Sequence, residues 1–305
     1  MAQGSNTMDT RFLQSFIYVV ETGSIAAAAR RLDLTPASVA QRIKALETDV
    51  GSQLIVRAGR TVKPTLAGNR ILQHAHTVLN EVRDLRSVAS ETSLPAGPLR
   101  LGATPTGLTQ ILPGVLKQWV LAHAHIEIYI EPAPSTVLYQ RLLNGHLDAA
   151  VMVHPLFDLP KSCAWHGLRK EPLTLVTPST MLVSDPIKTL ATEPFIRYDR
   201  QVVAGKLADD YLRHHGVRPR VRFELDGIES IGKLVAEGLG ISVLPDWNVG
   251  GPPDFAIKRW ALPPPHMERE VGIVWTRAGV RAQLAQTLVA LAAPLFKLES
   301  VTGPS

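Results

Sequence analysis

Residues 24–47 read SIAAAARRLDLTPASVAQRIKALE, and this stretch decides the fold of the N-terminal part of the chain. Ser24 can cap a short helix of small side chains, and Asp33 and Leu34 form a tight turn after it. Thr35 then caps a second helix with Pro36 at its first position, where the missing N–H costs nothing. Two short helices joined by a tight turn predict a helix-turn-helix.

The second helix of this motif has an apolar face and a polar face. Val39, Ile43 and Leu46 recur at helical spacing and predict the buried face. The opposite face would lie in a DNA major groove, where a glutamine can bind adenine and an alanine can contact a thymine methyl group. The candidate base-reading residues are Thr35, Pro36, Ala37, Ala40 and Gln41. An αα-hairpin inside a helical core is the alternative explanation of the same spacing.

A basic two-stranded wing is predicted directly after the helix-turn-helix. Residues 53–57 and 61–63 flank a turn that contains Gly59. Residues 30–70 hold eight basic and three acidic side chains, so this segment carries +5, which equals the net charge of the whole chain. A local basic block indicates a polyanion partner, although a solvated surface would have the same composition. The candidate phosphate-binding residues are Arg42, Lys44, Arg57, Arg60 and Lys63.

A long helix is predicted from Thr65 to Thr92, followed by a hinge at residues 93–98 that contains Pro95 and Pro98. Apolar residues step by four and three along this helix, which is the heptad spacing of a paired helix. We therefore expect a homodimer, with further assembly into a homotetramer, and the alternative is a helix that packs on its own domain. The candidate dimer residues are Ile71, Ala75, Val78, Val82 and Leu85.

Strands alternate with helices from residue 99 onward, which predicts a parallel α/β sheet. Thr104, Pro105 and Thr106 stand where the first strand ends and a helix begins, and such a position binds anions and carboxylates. Arg197, after a short strand, is the candidate counter-charge. We expect these four residues to bind a small, anionic effector. Plain helix capping and a surface arginine are the alternatives.

Several classes of protein are excluded by composition and by missing motifs. The chain is 45% hydrophobic and 19% charged, as ordinary globular proteins are, and Cys163 is its sole cysteine. The histidine pairs at residues 74 and 76 and at residues 123 and 125 lack a partner at metal-ligand spacing. We therefore expect no metal site, no cofactor and no enzyme. Residues 1–7 are polar, and no apolar run is long enough to span a membrane, so we expect a cytoplasmic protein.

The run from Phe16 to Glu47 resembles the winged helix-turn-helix of LysR-type transcriptional regulators, and the resemblance continues through Gly51, Leu54, Arg57, Pro64-Thr65 and Gly68. Residues 142–150 and 235–241 are similar to the co-inducer domain of the same family. Ala40 stands where family members often carry serine, and Pro36-Ala37 where many have Gln-Pro. Both departures fall at the base-reading end of the helix.

The resemblance implies an α plus α/β fold with an N-terminal winged helix-turn-helix, a long linker helix and a two-lobed, periplasmic-binding-protein-like α/β effector domain. The implied ranges are 8–68 for the DNA-binding domain, 65–92 for the linker helix, 93–98 for the hinge, and 99–298 for the effector domain, with lobe one at 99–170 and 268–298 and lobe two at 171–267. We expect a ligand-responsive, sequence-specific transcriptional regulator whose partners are double-stranded promoter DNA, a small-molecule effector, a second copy of itself and RNA polymerase. A solute-binding protein and an α/β enzyme are the alternatives.

Overall fold

The structure is a computed structural model that describes residues 8–88, 98–247, 256–278 and 281–296. It divides into two compact units. The first unit contains the chain up to Ala96 together with Asn144–His146, and the second contains the remaining residues. No helix in the described ranges has both the length and the apolar character needed to cross a membrane.

The first unit is built from helices and one hairpin. Its elements are α1 (Thr10–Thr22), α2 (Ile25–Leu32), α3 (Pro36–Val50), β1 (Ile55–Ala58), β2 (Thr61–Pro64) and α4 (Leu66–Val88). The side chains of Asp9, Ser24 and Thr35 accept backbone hydrogen bonds at the starts of α1, α2 and α3, as short polar residues at helix N-termini do. Strands β1 and β2 pair antiparallel. The predicted caps, helix-turn-helix and wing are confirmed.

The core of the first unit forms where α1, α2 and α3 meet. Phe16 of α1 and Val39 and Leu46 of α3 are fully buried. Ala28 and Ala29 of α2 are buried beside them, and their small side chains allow the helix axes to approach closely. The apolar spacing in the sequence therefore identified the buried face of α3 correctly.

The second unit alternates strands and helices over most of its length. Its elements are β3 (Leu99–Ala103), α5 (Pro105–Gln110), α6 (Leu112–Ala122), β4 (Ile128–Pro132), α7 (Ser135–Leu143), β5 (Ala149–Val153), β6 (Cys163–Pro178), α8 (Pro186–Thr192), β7 (Pro194–Tyr198), α9 (Val203–His214), β8 (Arg220–Leu225), α10 (Ile228–Ala236), β9 (Ser242–Pro245), β10 (Ile257–Ala261), β11 (Glu268–Thr276) and α11 (Ala282–Ala292). Helices α5 and α6 are separated only by Ile111, whose φ of −112° departs from regular helical geometry.

The main sheet is mixed, which corrects the expectation of a parallel sheet. Its strand order is β10-β6-β11-β5-β3-β4, and β9 also pairs with β6. Strand β3 is parallel to β4 and β5, whereas β11 is antiparallel to both β5 and β6. Strands β7 and β8 form a separate parallel pair, and Phe195 of β7 also forms a bridge with Ile241, directly before β9. Alternation of strands and helices predicted the parallel pairs but not the strands that return from one half of the unit to the other.

Strand β6 is long because it serves two sheet regions. Residues 163–172 pair with β11, and residues 173–178 pair with β9 and β10. Arg169, Lys170 and Glu171 interrupt the apolar pattern within this strand. Apolar clusters lie on either side, one around Leu142 and Met152 and two around residues 173–262. The unit therefore has two lobes connected through β6 and β11.

The predicted boundaries between domains fall partly outside the described residues. Helix α4 is described as far as Val88, so the expected continuation to Thr92 and the hinge up to Gly97 lie outside them. The lobe boundaries at residues 170 and 268 remain predictions.

Candidate nucleic-acid interface and ligand cavity

The N-terminal half of α3 presents an exposed face. Ser38 donates its backbone N–H to Oγ1 of Thr35 at 3.1 Å, which fixes the start of the helix. The helix therefore holds these side chains in a fixed arrangement that can enter a groove. All the predicted base-reading residues are exposed, namely Thr35, Pro36, Ala37, Ala40 and Gln41.

The wing carries three exposed cations. Arg57, Arg60 and Lys63 lie on or beside the hairpin of β1 and β2. The backbone N–H of Val62 donates to the Gly23 carbonyl oxygen at 2.8 Å, and this bond ties the hairpin to the turn between α1 and α2. The wing thus presents positive charge at a fixed position relative to α3.

The two predicted phosphate-binding residues of α3 differ from each other. Lys44 is exposed. Arg42 is half-buried, and its guanidinium donates to Ser15 Oγ of α1 at 3.4 Å. Arg42 therefore has an internal partner that the sequence did not indicate.

Glu47 and Gly68 position the wing, and the sequence analysis assigned neither of them this role. Glu47 Oε1 accepts hydrogen bonds from the backbone N–H groups of Leu54 at 2.7 Å and Ile55 at 3.2 Å. A Cβ atom at Gly68 would stand 2.1 Å from the Leu54 carbonyl oxygen, so only glycine lets the start of α4 approach the wing. A carboxylate late in α3 and a glycine early in α4 were the available sequence signals.

The second unit contains a cavity of about 110 Å³. This is smaller than the roughly 300–1,000 Å³ of sites for drug-sized ligands, so it suits a small molecule. Four helix starts line it, at residues 104–106 of α5, 134–136 of α7, 202–204 of α9 and 226–228 of α10. The residues that cap α9 and α10, Val202 and Gly227, accept no side-chain hydrogen bond from the first turns of these helices. Helix N-termini carry partial positive charge, so their convergence favours a negatively charged ligand.

Thr104 and Thr106 have different roles at this cavity. Thr104 Oγ1 accepts a hydrogen bond from the Gly107 backbone N–H at 3.3 Å, which is helix capping. Thr106 Oγ1 accepts from the Arg269 guanidinium at 3.5 Å. Both threonines and Pro105 line the cavity, as the sequence indicated.

Arg269 of β11 is the cationic side chain that lines the cavity. It is 4% exposed, and its Nε donates to Glu171 Oε2 at 2.6 Å. Arg169 pairs with the other oxygen of Glu171 and donates to the Trp247 carbonyl oxygen at 2.8 Å. Two arginines thus share one fully buried carboxylate, and this cluster has a net charge of +1. Buried charges need such partners, because removing one of them leaves the other uncompensated.

Tyr198 brings a phenol to the cavity wall. Burial is the main cause that raises the pKa of Tyr198 from 10.0 to about 12. The hydroxyl group therefore stays protonated at neutral pH and can donate a hydrogen bond to an anion.

Arg197 is not among the residues that line the cavity, which corrects its predicted place. Successive side chains of a strand point to opposite faces, so Tyr198 faces the cavity and Arg197 does not. Its Nε is buried and makes no hydrogen bond within the described part of the chain. The positive charge at the cavity comes from Arg269 instead.

Helix α4 divides its predicted seam between two environments. Ala75 is buried and Ile71 half-buried against the core of the first unit. Val78 and Leu85 are 42% and 70% exposed, and Val82 is half-buried. The first part of the heptad pattern, Ile71 and Ala75, therefore reflects packing within the first unit. The later part, from Val78 to Leu85, is exposed enough to contact a partner.

Cys163 is buried, and burial raises the pKa of its thiol. A thiol in this state is a poor nucleophile, because the thiolate is the reactive form. Reactivity at Cys163 therefore has no support in the structure.

Two family matches together cover most of the chain. Residues 10–69 match the bacterial regulatory helix-turn-helix proteins of the lysR family. Residues 92–297 match the LysR substrate binding domain. The two matches follow the same order as the two units of the fold.

Curated relatives and solved structures agree with these matches. The chain is 27% identical to the HTH-type transcriptional regulator CzcR of Bacillus subtilis, over 78% of this chain and 81% of that relative. It is 26% identical to the HTH-type transcriptional activator IlvY of Salmonella typhimurium, over 78% of this chain and 83% of that relative. Full-length OxyR C199D from Pseudomonas aeruginosa has a similar fold, with a TM-score of 0.69, 22% identity and coverage of 98% of this chain and 99% of that one.

A structure of full-length CbnR in complex with its target DNA also shares the fold, with a TM-score of 0.62, 20% identity and coverage of 94% of this chain and 100% of that one. The curated relatives are transcriptional regulators. An exposed recognition helix, a basic wing and a two-lobed ligand-binding unit occur here in the order that the family matches require. The chain belongs to the LysR family, and it is a ligand-responsive, DNA-binding transcriptional regulator.

Proposed function

We propose that this regulator responds to a small organic anion held in the cavity of the second unit. One observation carries the proposal: four helix N-termini and the buried Arg269 converge on the same cavity. Helix N-termini and a guanidinium bind a carboxylate through charge-assisted hydrogen bonds. A cationic ligand would be repelled by the positive charge of Arg269 and the helix N-termini. A neutral sugar would not compensate that positive charge.

The cavity also indicates a second feature of the effector. Asp226, at the start of α10, also lines the cavity, and its charge is opposite to that of Arg269. Its Oδ1 accepts a hydrogen bond from the Gly227 N–H at 2.7 Å. An acidic side chain in a site for anions favours a ligand that also bears a hydrogen-bond donor, such as a hydroxyl or an amino group. We therefore expect a small carboxylate with a donor group, and Thr106 and Tyr198 supply hydroxyl groups to orient it.

Calorimetric titration with a panel of small carboxylates, matched amines and sugars tests the proposal. We expect a carboxylate to saturate the parent protein and Thr106→Val to lose about tenfold or more in affinity, since a hydrogen bond to a charged group contributes roughly 1.5–3 kcal/mol. Thr109→Val is the matched control, because Thr109 lies on α5 but is not among the lining residues. Equal binding by Thr106→Val and the parent protein would contradict the assignment of the cavity.

A symmetric DNA site is bound by two recognition helices, one from each of two copies of this chain. In this proposal α4 forms the contact between the two copies. Val78, Val82 and Leu85 keep the spacing of four and three, whereas Ile71 and Ala75 pack against the core of the first unit. Leu85→Glu is expected to shift light scattering toward the monomer, whereas an unchanged mass would place the contact elsewhere. RNA polymerase is the partner on which a promoter-bound dimer would act.

A further inference from the structure

Three side chains that are far apart in the sequence meet within the first unit. Glu21 lies at the end of α1, His76 lies on α4, and His146 lies in the turn between α7 and β5. His146 Nε2 is 2.8 Å from His76 Nδ1 and 3.3 Å from Glu21 Oε1. One ligand atom from each of the three residues lies within 4.8 Å of the others. We propose that this cluster is a binding site for a divalent transition-metal ion such as Zn²⁺.

The spacing of the three atoms suits tetrahedral coordination. Zn–N and Zn–O bonds of about 2.0–2.1 Å place neighbouring ligand atoms about 3.3–3.4 Å apart in a tetrahedron. The contacts at 2.8 and 3.3 Å are close to this value, so the side chains need to move apart only slightly to accept the ion. Two imidazoles and one carboxylate form a ligand set that zinc prefers, and a fourth position is left for water or another ligand.

The surroundings of the cluster hold its ligands in place. Arg31 Nη1 pairs with Glu21 Oε2 at 2.7 Å, so the other carboxylate oxygen is turned toward His146. Gly145, at φ 70°, allows the sharp turn that presents His146. His76 is 6% exposed, whereas the side chains of Glu21 and His146 are 25% and 20% exposed. The site is therefore ordered by its neighbours yet open enough on one side for an ion to enter.

The two histidines can both turn a lone pair toward an ion. Their facing ring nitrogens lie 2.8 Å apart, and a metal ion binds each of them through its lone pair. Arg31 pairs with the other oxygen of Glu21, so the oxygen that faces His146 stays available as a ligand.

Zn²⁺ titration of the full chain, treated with chelator and without an affinity tag, tests the site. We expect one ion per chain, a raised thermal unfolding midpoint of the first unit, and a tenfold or greater loss of affinity in both His146→Gln and the isosteric Glu21→Gln. His74→Gln is the matched control, since His74 is an exposed histidine on the same helix, and it should bind as the parent does.

Co²⁺ in place of Zn²⁺ separates this site from adventitious histidine binding. Four-coordinate Co²⁺ absorbs visible light far more strongly than six-coordinate Co²⁺, so the parent protein and His74→Gln should give the strong spectrum and His146→Gln should not. Failure of the parent to bind Zn²⁺, or equal binding by Glu21→Gln, His146→Gln and the parent, would overturn the proposal. Neither outcome depends on the effector cavity.

Discussion

The proposed DNA-binding surface and the ligand cavity are built in opposite ways. The proposed surface comes from one continuous stretch, residues 35–63, whose candidate side chains are mostly exposed. The cavity draws on β5, β7, β11 and the starts of four helices, and its polar side chains are mostly buried. A change on the surface should therefore affect binding alone, whereas a change at the cavity should affect binding and stability together.

Arg269→Met should show the largest effect, because it breaks the buried cluster around Glu171. Loss of one partner from a buried ion pair costs roughly 3–5 kcal/mol, and Arg169 remains to offset part of it. We expect the second unit of Arg269→Met to unfold at a lower urea concentration than that of the parent, as measured by circular dichroism. The DNA affinity of Arg269→Met should stay close to that of the parent.

The matched control for this prediction is Lys170→Met on the neighbouring strand β6. Lys170 pairs with Glu268 at 2.7 Å, but the side chains are 50% and 42% exposed. Exposed ion pairs contribute little, so the midpoint should not move measurably. Equal destabilisation by the two variants would mean that the buried cluster has no special role.

Tyr198→Phe should change how stability depends on pH. The folded pKa of about 12 lies above the unfolded value of 10.0, so the stabilisation is complete below pH 10 and is lost as the pH rises to 12. Over this window the parent should lose about 2–3 kcal/mol more than Tyr198→Phe, at roughly 1.4 kcal/mol for each unit of pKa.

Urea unfolding at a series of alkaline pH values measures this difference, and the ultraviolet absorbance of tyrosinate reports the titration directly. Tyr129→Phe removes an exposed hydroxyl group and should keep the pH dependence of the parent. Parallel stability curves for the parent and Tyr198→Phe would show that Tyr198 is not buried as described.

Arg57→Ala should have the smallest effect, and on DNA binding alone. Removing one phosphate contact lowers the slope of log affinity against log salt by about one unit. Lys117→Ala, which removes an exposed cation of α6 in the second unit, should leave the slope unchanged. Gel shifts across a series of salt concentrations measure this slope. Identical slopes for the parent and Arg57→Ala would show that Arg57 does not contact DNA phosphate.

The sequence by itself determined the elements whose signals are local. Two examples are the helix caps at Ser24 and Thr35 and the apolar face of α3. Each depends on residues within a few positions of one another, so its pattern can be recognised in the sequence alone. The recognition helix, the wing and their cations followed from these signals. The place of Thr104, Pro105 and Thr106 at the start of a helix was predicted for the same reason, because a helix start after a strand is a local feature.

Only the tertiary structure decided which distant side chains meet. Arg269 and Glu171 are 98 residues apart in the sequence, yet they pair inside the second unit. The heptad pattern of α4 could not separate packing against its own unit from packing against a partner, since both use the same apolar spacing. Glu21, His76 and His146 carry no signal in the linear sequence. Which residues are buried and which charged residues pair depends on the tertiary fold. Local periodicity in the sequence does not encode that fold.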